Sequence, residues 1–161
     1  DGQLSDGGWD IASSSGDADM TGMALQALAP YYLKTADKID EVDQAVLDRV
    51  KSAVDKGLTL ISSIQEGDGG FSSMGGRSSE SCCQIIVALS SLRIDLKTDK
   101  RFIKEGHTVL DALLSYYDGN GGFYHTDGED EINCMATEQA YYAMTAYDRF
   151  VKGESPLYDM N

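Results

Sequence analysis

The sequence lacks the features that mark membrane-spanning and nucleic-acid-binding proteins. None of its 161 residues lies in an apolar run of 18 or more, the length that a membrane-spanning helix requires. Basic residues are scarce, with 13 Lys and Arg against 27 Asp and Glu, and the formal net charge is −14. The missing apolar run predicts that no segment spans a membrane. Because so acidic a chain repels phosphate groups, we also expect no nucleic-acid partner.

Metal-binding and disulfide patterns are also missing. The chain has three cysteines, of which Cys82 and Cys83 are adjacent and Cys134 stands alone, and its two histidines are His107 and His125. No CxxC or HExxH spacing occurs, and an odd number of cysteines implies no disulfide framework. The redox state of the three cysteines stays open, and we expect no cofactor.

What the sequence does contain is a turn motif, Asp/Asn-Gly-Gly-aromatic, in three copies. The copies lie at residues 6–9, 68–71 and 120–123, so successive copies are 62 and 52 residues apart. Such a period fits a helical hairpin with its loops and predicts three repeats. The predicted repeats span about 1–62, 63–115 and 116–161, within a single domain that covers 1–161.

Each part of the motif has a structural use. The glycines allow a positive φ, the Asp or Asn before them is a local hydrogen-bond acceptor, and the aromatic residue anchors the turn against helices. A glutamine stands six residues before the aromatic in the first two copies, as Gln3 and Gln65, while Tyr117 takes that place in the third. We therefore expect three equivalent turns, with Asn120 as the acceptor in the third.

Two kinds of helix alternate with these turns. The segments that follow each motif are apolar nearly all round, as in a helix buried on every side. The intervening segments place apolar residues three or four apart among charged ones, which is typical of an amphipathic outer helix, and Asp40 is the expected N-cap of the first. The predicted inner helices lie near 20–33, 81–93 and 136–150, and the predicted outer helices near 41–65 and 107–117.

The inner segments align without gaps. No segment alternates polar and apolar residues with a period of two, so we expect no sheet. Buried helices alternating with amphipathic ones at this period predict an all-α fold in concentric layers, as in an α/α barrel or solenoid. The alignment places Thr21, Cys82 and Thr137 in one column and Ala27, Ala88 and Ala143 in another.

The motif resembles a known family of helical repeats. Gln-x5-Trp/Phe with an internal Asp-Gly-Gly resembles the QW-type repeat of squalene and oxidosqualene cyclases and of the prenyltransferase repeat family. Residues 17–32 and 135–149 resemble toroid modules of Gram-positive bacterial surface proteins. The resemblance implies an α/α-toroid and an extracellular or cell-surface location. A closed toroid of this kind has about six hairpins, so three repeats imply the C-terminal half of a larger toroid.

Half a toroid implies uncovered ends. We expect apolar side chains to be exposed there, either to pack against the remaining repeats of a longer chain or to join two chains in a two-fold dimer. The residues expected to be most affected are Trp9, Met23, Tyr141, Tyr142 and Phe150.

The resemblance also implies where a catalytic acid would lie. Class II cyclases use an Asp-x-Asp-Asp-Thr motif, whose middle Asp protonates the polyene substrate. Residues 17–21 match this motif in part, because Asp17 and Asp19 fit its first two acids while Met20 replaces the last. We interpret the two acids instead as a cap residue and a first-turn residue of an inner helix.

A zinc site is implied only incompletely. Protein prenyltransferases bind zinc through an Asp-x-Cys at the start of an inner helix and a His at the start of a later one. Glu80 and Cys82 match the first part, with Glu in place of Asp, whereas the His position falls on Ala136 and His125 lies in the loop well before it. The set lacks its third ligand, so we expect no zinc.

The loops before the inner helices are rich in serine and acidic residues. If the repeats stack in register, these loops converge on one end of the ring, where they would form a binding surface. We expect a non-catalytic toroid module of a secreted or cell-surface protein that acts in binding or adhesion, with a small molecule or a protein as its ligand. The alternatives are an isoprenoid-processing enzyme with Asp19 as its acid, or a carrier of a hydrophobic or corrinoid molecule. The candidate binding residues are Asp17, Asp19, Thr21, Glu80, Thr137 and Glu138.

Overall fold

A computed structural model of the chain describes residues 2–12, 14–73 and 76–157, without the side chain of Ser73. The described residues are mostly helical, which confirms the all-α class. The five α-helices are α1 (Ala18–Tyr32), α2 (Gln44–Ile64), α3 (Ser79–Ser91), α4 (Val109–Ser115) and α5 (Cys134–Val151). Single turns of 3-10 helix lie at Ile39–Glu41 and Lys100–Phe102.

The helices follow the predicted order, and their ends lie within three residues of the predicted ones. The N-cap of α2 differs from the prediction. Asp43 caps the helix, since its carboxylate accepts a hydrogen bond of 2.7 Å from the Ala45 N–H, whereas Asp40 lies in the preceding 3-10 turn. The reason is that the backbone becomes extended at Val42, so the α-helix starts anew after that residue.

Two short strand pairs also depart from the expectation of no sheet. Strand β1 (Ser72–Ser73) pairs antiparallel with β2 (Gly76–Arg77), and β3 (Ile103–Lys104) with β4 (His107–Thr108). The turn between β3 and β4 has a positive φ at both Glu105 and Gly106, 50° and 91°, as a type I′ hairpin turn requires. Each ladder is two residues long and closes a loop between helices.

Helix α3 lies at the centre of the molecule. It packs against α1 on one side and α5 on the other, while α2 packs against α1 and α4 against α3. The three apolar helices therefore form a row in the order α1, α3, α5. The largest aliphatic side chains that are fully buried include Leu25, Leu58, Ile61, Ile85, Ile86, Leu89 and Leu113, each worth about 1.5–3 kcal/mol of transfer free energy.

Helices α1 and α3 approach closely at Gly22. A Cβ atom at that position would lie 3.2 Å from backbone atoms of Gln84, which is tighter than ordinary van der Waals contact. The amide of Gln84 then links the row, because it accepts a hydrogen bond from Gln26 on α1 (3.0 Å) and donates one to Gln139 on α5 (3.1 Å). Within the described ranges, no helix is both long and apolar enough to cross a membrane.

Candidate functional site

The three motif turns are closed by the same backbone hydrogen bond. The residue four positions before the second glycine donates its N–H to that glycine's carbonyl oxygen. The donors are Leu4, Glu66 and Asp118, at distances of 2.8, 3.0 and 3.0 Å from the oxygens of Gly8, Gly70 and Gly122. The three copies of the motif are thus three equivalent turns.

The acidic residue of each turn accepts the N–H of the second glycine. In the first two copies this acceptor is the expected one, Asp6 or Asp68, at 3.0 Å in both cases. In the third copy the expectation of Asn120 is wrong, because Asp118 accepts from the N–H groups of both Asn120 and Gly122 at 2.8 Å. A carboxylate is the stronger acceptor, and it outcompetes the neutral amide that the motif aligns with Asp6.

The aromatic residue of the first and third turns is tied to the helix that follows it. The N–H of Trp9 donates to Thr21 Oγ1 at 3.0 Å, and the N–H of Phe123 donates to Thr137 Oγ1 at 2.9 Å. Cys82 has the equivalent position in the second copy and is fully buried. Within the column of Thr21, Cys82 and Thr137 found in the sequence, the two threonines therefore tie the first and third turns to the helices that follow them.

Two members of that column are inaccessible. Thr21 and Cys82 are both fully buried, so neither can touch a ligand while this packing holds. Burial raises the pKa of the Cys82 thiol to about 12, and it raises the pKa of Cys83 as well. Both thiols are protonated at neutral pH, the form that neither attacks a substrate nor binds a metal well.

Glu80, at the start of α3, has a partner that the sequence did not indicate. His125 Nδ1 lies 2.8 and 2.9 Å from the two carboxylate oxygens of Glu80, and Ser79 Oγ donates to the same carboxylate at 3.2 Å. Glu80 is 8 % exposed. Among the residues that the structure describes, no group of three or more His, Cys, Asp or Glu side chains is placed to hold a metal ion.

The backbone of the third-copy loop explains how His125 reaches Glu80. The Ser79 N–H donates to the His125 carbonyl oxygen at 3.0 Å, and Ser79 Oγ donates to the Tyr124 carbonyl oxygen at 2.8 Å. These bonds hold the extended segment against the first turn of α3. The histidine has no equivalent in the other copies, where Ile11 and Ser73 align with it, so no repeat pattern pointed to the contact.

Asp17 and Asp19 have the cap and first-turn positions that the sequence predicted. Asp17 is the N-cap of α1 and accepts from the Met20 N–H at 2.7 Å, and Asp19 lies in the first turn. One buried carboxylate oxygen of Asp19 has no hydrogen-bond partner within the described part of the chain. Burial raises the pKa of the Cys83 thiol most, and the charges of Cys82, Glu80 and Asp19 raise it further.

Glu138 lies apart from Asp19 and Glu80. It is exposed near the start of α5 and lines a shallow depression of about 490 Å³ together with Thr137, Ile132 and the glycines of the third turn. Asp19 and Glu80 do not line this depression. Of the other predicted binding residues, Asp19 and Glu80 have equivalent positions at the starts of the neighbouring helices α1 and α3, and Glu80 has His125 as its partner.

Arg77 joins the loops of the second and third copies. Its guanidinium lies 3.1 Å from the Glu66 carboxylate and 3.6 Å from that of Asp127, and it also pairs with Asp68. Together with the contact between His125 and Glu80, these ion pairs place the two loops side by side at the start of α3. Loops of two copies thus meet at one end of the helix row.

Comparisons of the chain with protein-family models, with curated proteins and with solved structures find no significant match.

Proposed function

We propose that the chain is a non-catalytic binding module of the α/α-toroid type, from a secreted or cell-surface protein. The observation that carries the proposal is the hydrogen bond from the aromatic N–H to a Thr side chain in the first and third copies, with the fully buried Cys82 at the same position in the second. The column includes Cys82, which a zinc site would need, and Thr21, the threonine of the partial cyclase motif. Asp19 keeps one carboxylate oxygen without a partner among the described residues, whereas the Glu80 carboxylate is bonded to His125 and Ser79.

The row of apolar helices supports the toroid part of the proposal. Each inner helix packs against the next, and an amphipathic helix follows α1 and α3 in the chain and packs against each of them. A row that adds one helical hairpin per repeat is an arc, and further hairpins of the same kind would close it. The extracellular location rests on the resemblance of residues 17–32 and 135–149 to surface-protein modules.

The ligand surface in this proposal is the end of the row where α1 and α3 begin. Asp19 contributes a carboxylate oxygen that no described residue satisfies, and Glu80 contributes a carboxylate held by His125. Because a buried acceptor without a donor is costly, a ligand that brings an N–H or ammonium group would gain a charge-assisted hydrogen bond there. We therefore expect a ligand with a basic group, whether a small molecule or a protein side chain.

An isoprenoid-processing enzyme that acts through Asp19 is the alternative. The unpartnered oxygen of Asp19 is the observation in its favour, since a catalytic acid must be free to approach the substrate. Against it stands Met20, which occupies the place of the third acid of the cyclase motif.

Co-purification separates the two functions. The chain is isolated from its host, and bound lipids and metabolites are identified by mass spectrometry for the wild type, for Asp19→Asn and for the control Asp48→Asn on the exposed face of α2. A binding module retains a basic compound in the wild type and the control and loses it in Asp19→Asn. Conversion of squalene-like polyenes that disappears only in Asp19→Asn would establish the enzyme instead.

A further inference from the structure

Equivalent positions of the repeats differ in exposure. Ala27 on α1 is exposed, whereas Ala88 and Ala143, which share its column, are fully buried. Tyr31 is 41 % exposed, but Leu92, its equivalent after α3, is 3 % exposed. The first copy therefore exposes the face of its inner helix that the later copies bury.

The uncovered positions form one surface, which we name the α1 flank. Met23, Ala27 and Tyr31 are spaced four apart and lie along one face of α1. Beside them runs a groove of about 490 Å³ between α1 and α2. Its lining includes Trp9, Ala24, Ala27, Leu28, Val46 and Val50.

The charged residues of this groove are basic. Arg49 and Lys56 line it, and none of the described carboxylates does. This is unusual in a chain with 27 acidic residues and 13 basic ones. An occupant with an apolar surface and carboxylates beside it would match the groove in both respects.

The opposite end of the row has that composition. We name the exposed face of α5 the α5 flank, and it contains Glu138, Tyr141, Thr145 and Asp148. Tyr141 is 50 % exposed, and Val151 at the end of the helix is 64 % exposed. The flank thus combines apolar side chains with the carboxylates of Glu138 and Asp148, of which Asp148 pairs with Lys152 at 2.6 Å.

The contacts inside the row show how the two flanks fit each other. Gln84 on α3 faces the preceding helix, α1, and Gln139 in the same column of α5 faces the preceding helix, α3. The equivalent of both on α1 is Met23, which is 51 % exposed because no described helix precedes α1. Conversely, Gly22 of α1 faces the following helix, and its equivalent on α5 is the exposed Glu138. The α1 flank and the α5 flank therefore correspond to the two kinds of surface that pack together between α1 and α3 and between α3 and α5.

We propose that the α1 flank of one copy of the chain binds the α5 flank of a second copy, head to tail. The new contact repeats the packing of α1 on α3 and of α3 on α5. Glu138 of one copy approaches the basic groove residues Arg49 and Lys56 of the other. Because the two surfaces are different, the contact either closes two copies into a ring or continues into a longer chain.

The test uses one variant of each flank and a control. Ala27→Arg places a long charged side chain on the α1 flank, and Thr145→Arg does the same on the α5 flank. Thr59→Arg is the matched control, since Thr59 is exposed on α2 and lines neither flank. All four proteins are compared by sedimentation at tens of micromolar, a range suited to ordinary dimer affinities. Circular dichroism checks that each variant keeps the wild-type helix content.

The expected result is association of the wild type and of Thr59→Arg, and a monomer for each flank variant alone. An equimolar mixture of Ala27→Arg and Thr145→Arg then forms a dimer, because each variant supplies the flank that the other lacks. A monomeric wild type overturns the proposal. So does either flank variant that still associates by itself, as a symmetric contact between like flanks would allow, or a mixture that stays monomeric. Asp19 and Glu80 lie outside both flanks, so these variants should retain the ligand. A failure of the self-association proposal is therefore distinguishable from a failure of the proposed binding function.

Discussion

The Nδ1 atom of His125 lies 2.8 Å from Oε2 of Glu80, across 45 residues of sequence. The contact connects the loop of the third motif copy to the first turn of the central helix. Glu80 is nearly buried, whereas the side chain of His125 is 43 % exposed. The histidine therefore covers the carboxylate and reaches solvent on its other side.

Removal of this histidine has a predictable cost. In His125→Ala the Glu80 carboxylate stays buried with Ser79 Oγ as its hydrogen-bond donor among the described side chains, so we expect a loss of about 1–3 kcal/mol in the free energy of unfolding. Urea denaturation measures this loss. His107→Ala, at an exposed position on β4, is the control and should change the free energy by less than about 0.5 kcal/mol. Equal losses in both variants would contradict the role given to the contact.

The turn column gives a second prediction. In Thr21→Val the N–H of Trp9 loses its acceptor in a buried environment, which should cost about 1–3 kcal/mol of unfolding free energy. Thr21→Cys should lose less, because a thiol is a weak acceptor and Cys82 already has this position in the second copy. The control is Thr59→Val on the exposed face of α2. Indistinguishable stabilities for Thr21→Val and Thr59→Val in chemical denaturation would show that the hydrogen bond contributes nothing.

The acids of the motif turns should make the protein sensitive to low pH. The N–H groups of Gly8 and Gly16 lower the pKa of Asp6 below its ordinary 3.8, and the N–H groups of Asn120 and Gly122 lower the pKa of Asp118 in the same way. A carboxyl whose pKa is lower in the folded state stabilises the fold above its unfolded pKa and loses that contribution as pH falls through the folded pKa. We therefore expect stability to fall below about pH 4. Denaturation midpoints measured between pH 6 and pH 2.5 should depend less on pH in Asp6→Asn, and an unchanged dependence would exclude Asp6 as a cause.

The three cysteines should differ in reactivity. Cys82 and Cys83 are buried, and burial raises the pKa of both thiols, whereas Cys134 is exposed at the start of α5. A thiol reagent should therefore modify one cysteine rapidly in the native protein and all three after denaturation. Cys134→Ser should abolish the rapid phase. Rapid modification of two or more thiols in the native state would show that the start of α3 opens readily.

Some features of this structure follow from local sequence and others do not. The motif turns and the column of Thr21, Cys82 and Thr137 were predictable, because each depends on residues less than 20 positions apart and recurs three times. The N-cap role of Asp17 was predictable for the same reason.

The contact between His125 and Glu80 was not predictable, because it depends on how the third loop crosses the start of α3 and has no counterpart in the other copies. The replacement of Asn120 by Asp118 as acceptor also escaped the alignment, since the motif fixes which residues lie in the turn but not which of two neighbours accepts the bond. The exposure expected at the ends of the row is found for two of the five named residues. Met23 and Tyr141 are at least half exposed, while Trp9, Tyr142 and Phe150 are partly covered.

The burial of α3 has a consequence for how the molecule opens. Twelve of its thirteen residues are buried, and helices pack on both of its sides, so its amide protons cannot meet solvent unless the neighbours separate. Helices α1 and α5 each pack against another inner helix, α3, on one side only and have fewer buried residues, five and four. In hydrogen exchange, the amides of α3 should therefore exchange last and with the free energy of global unfolding, while those of α1 and α5 exchange through smaller openings.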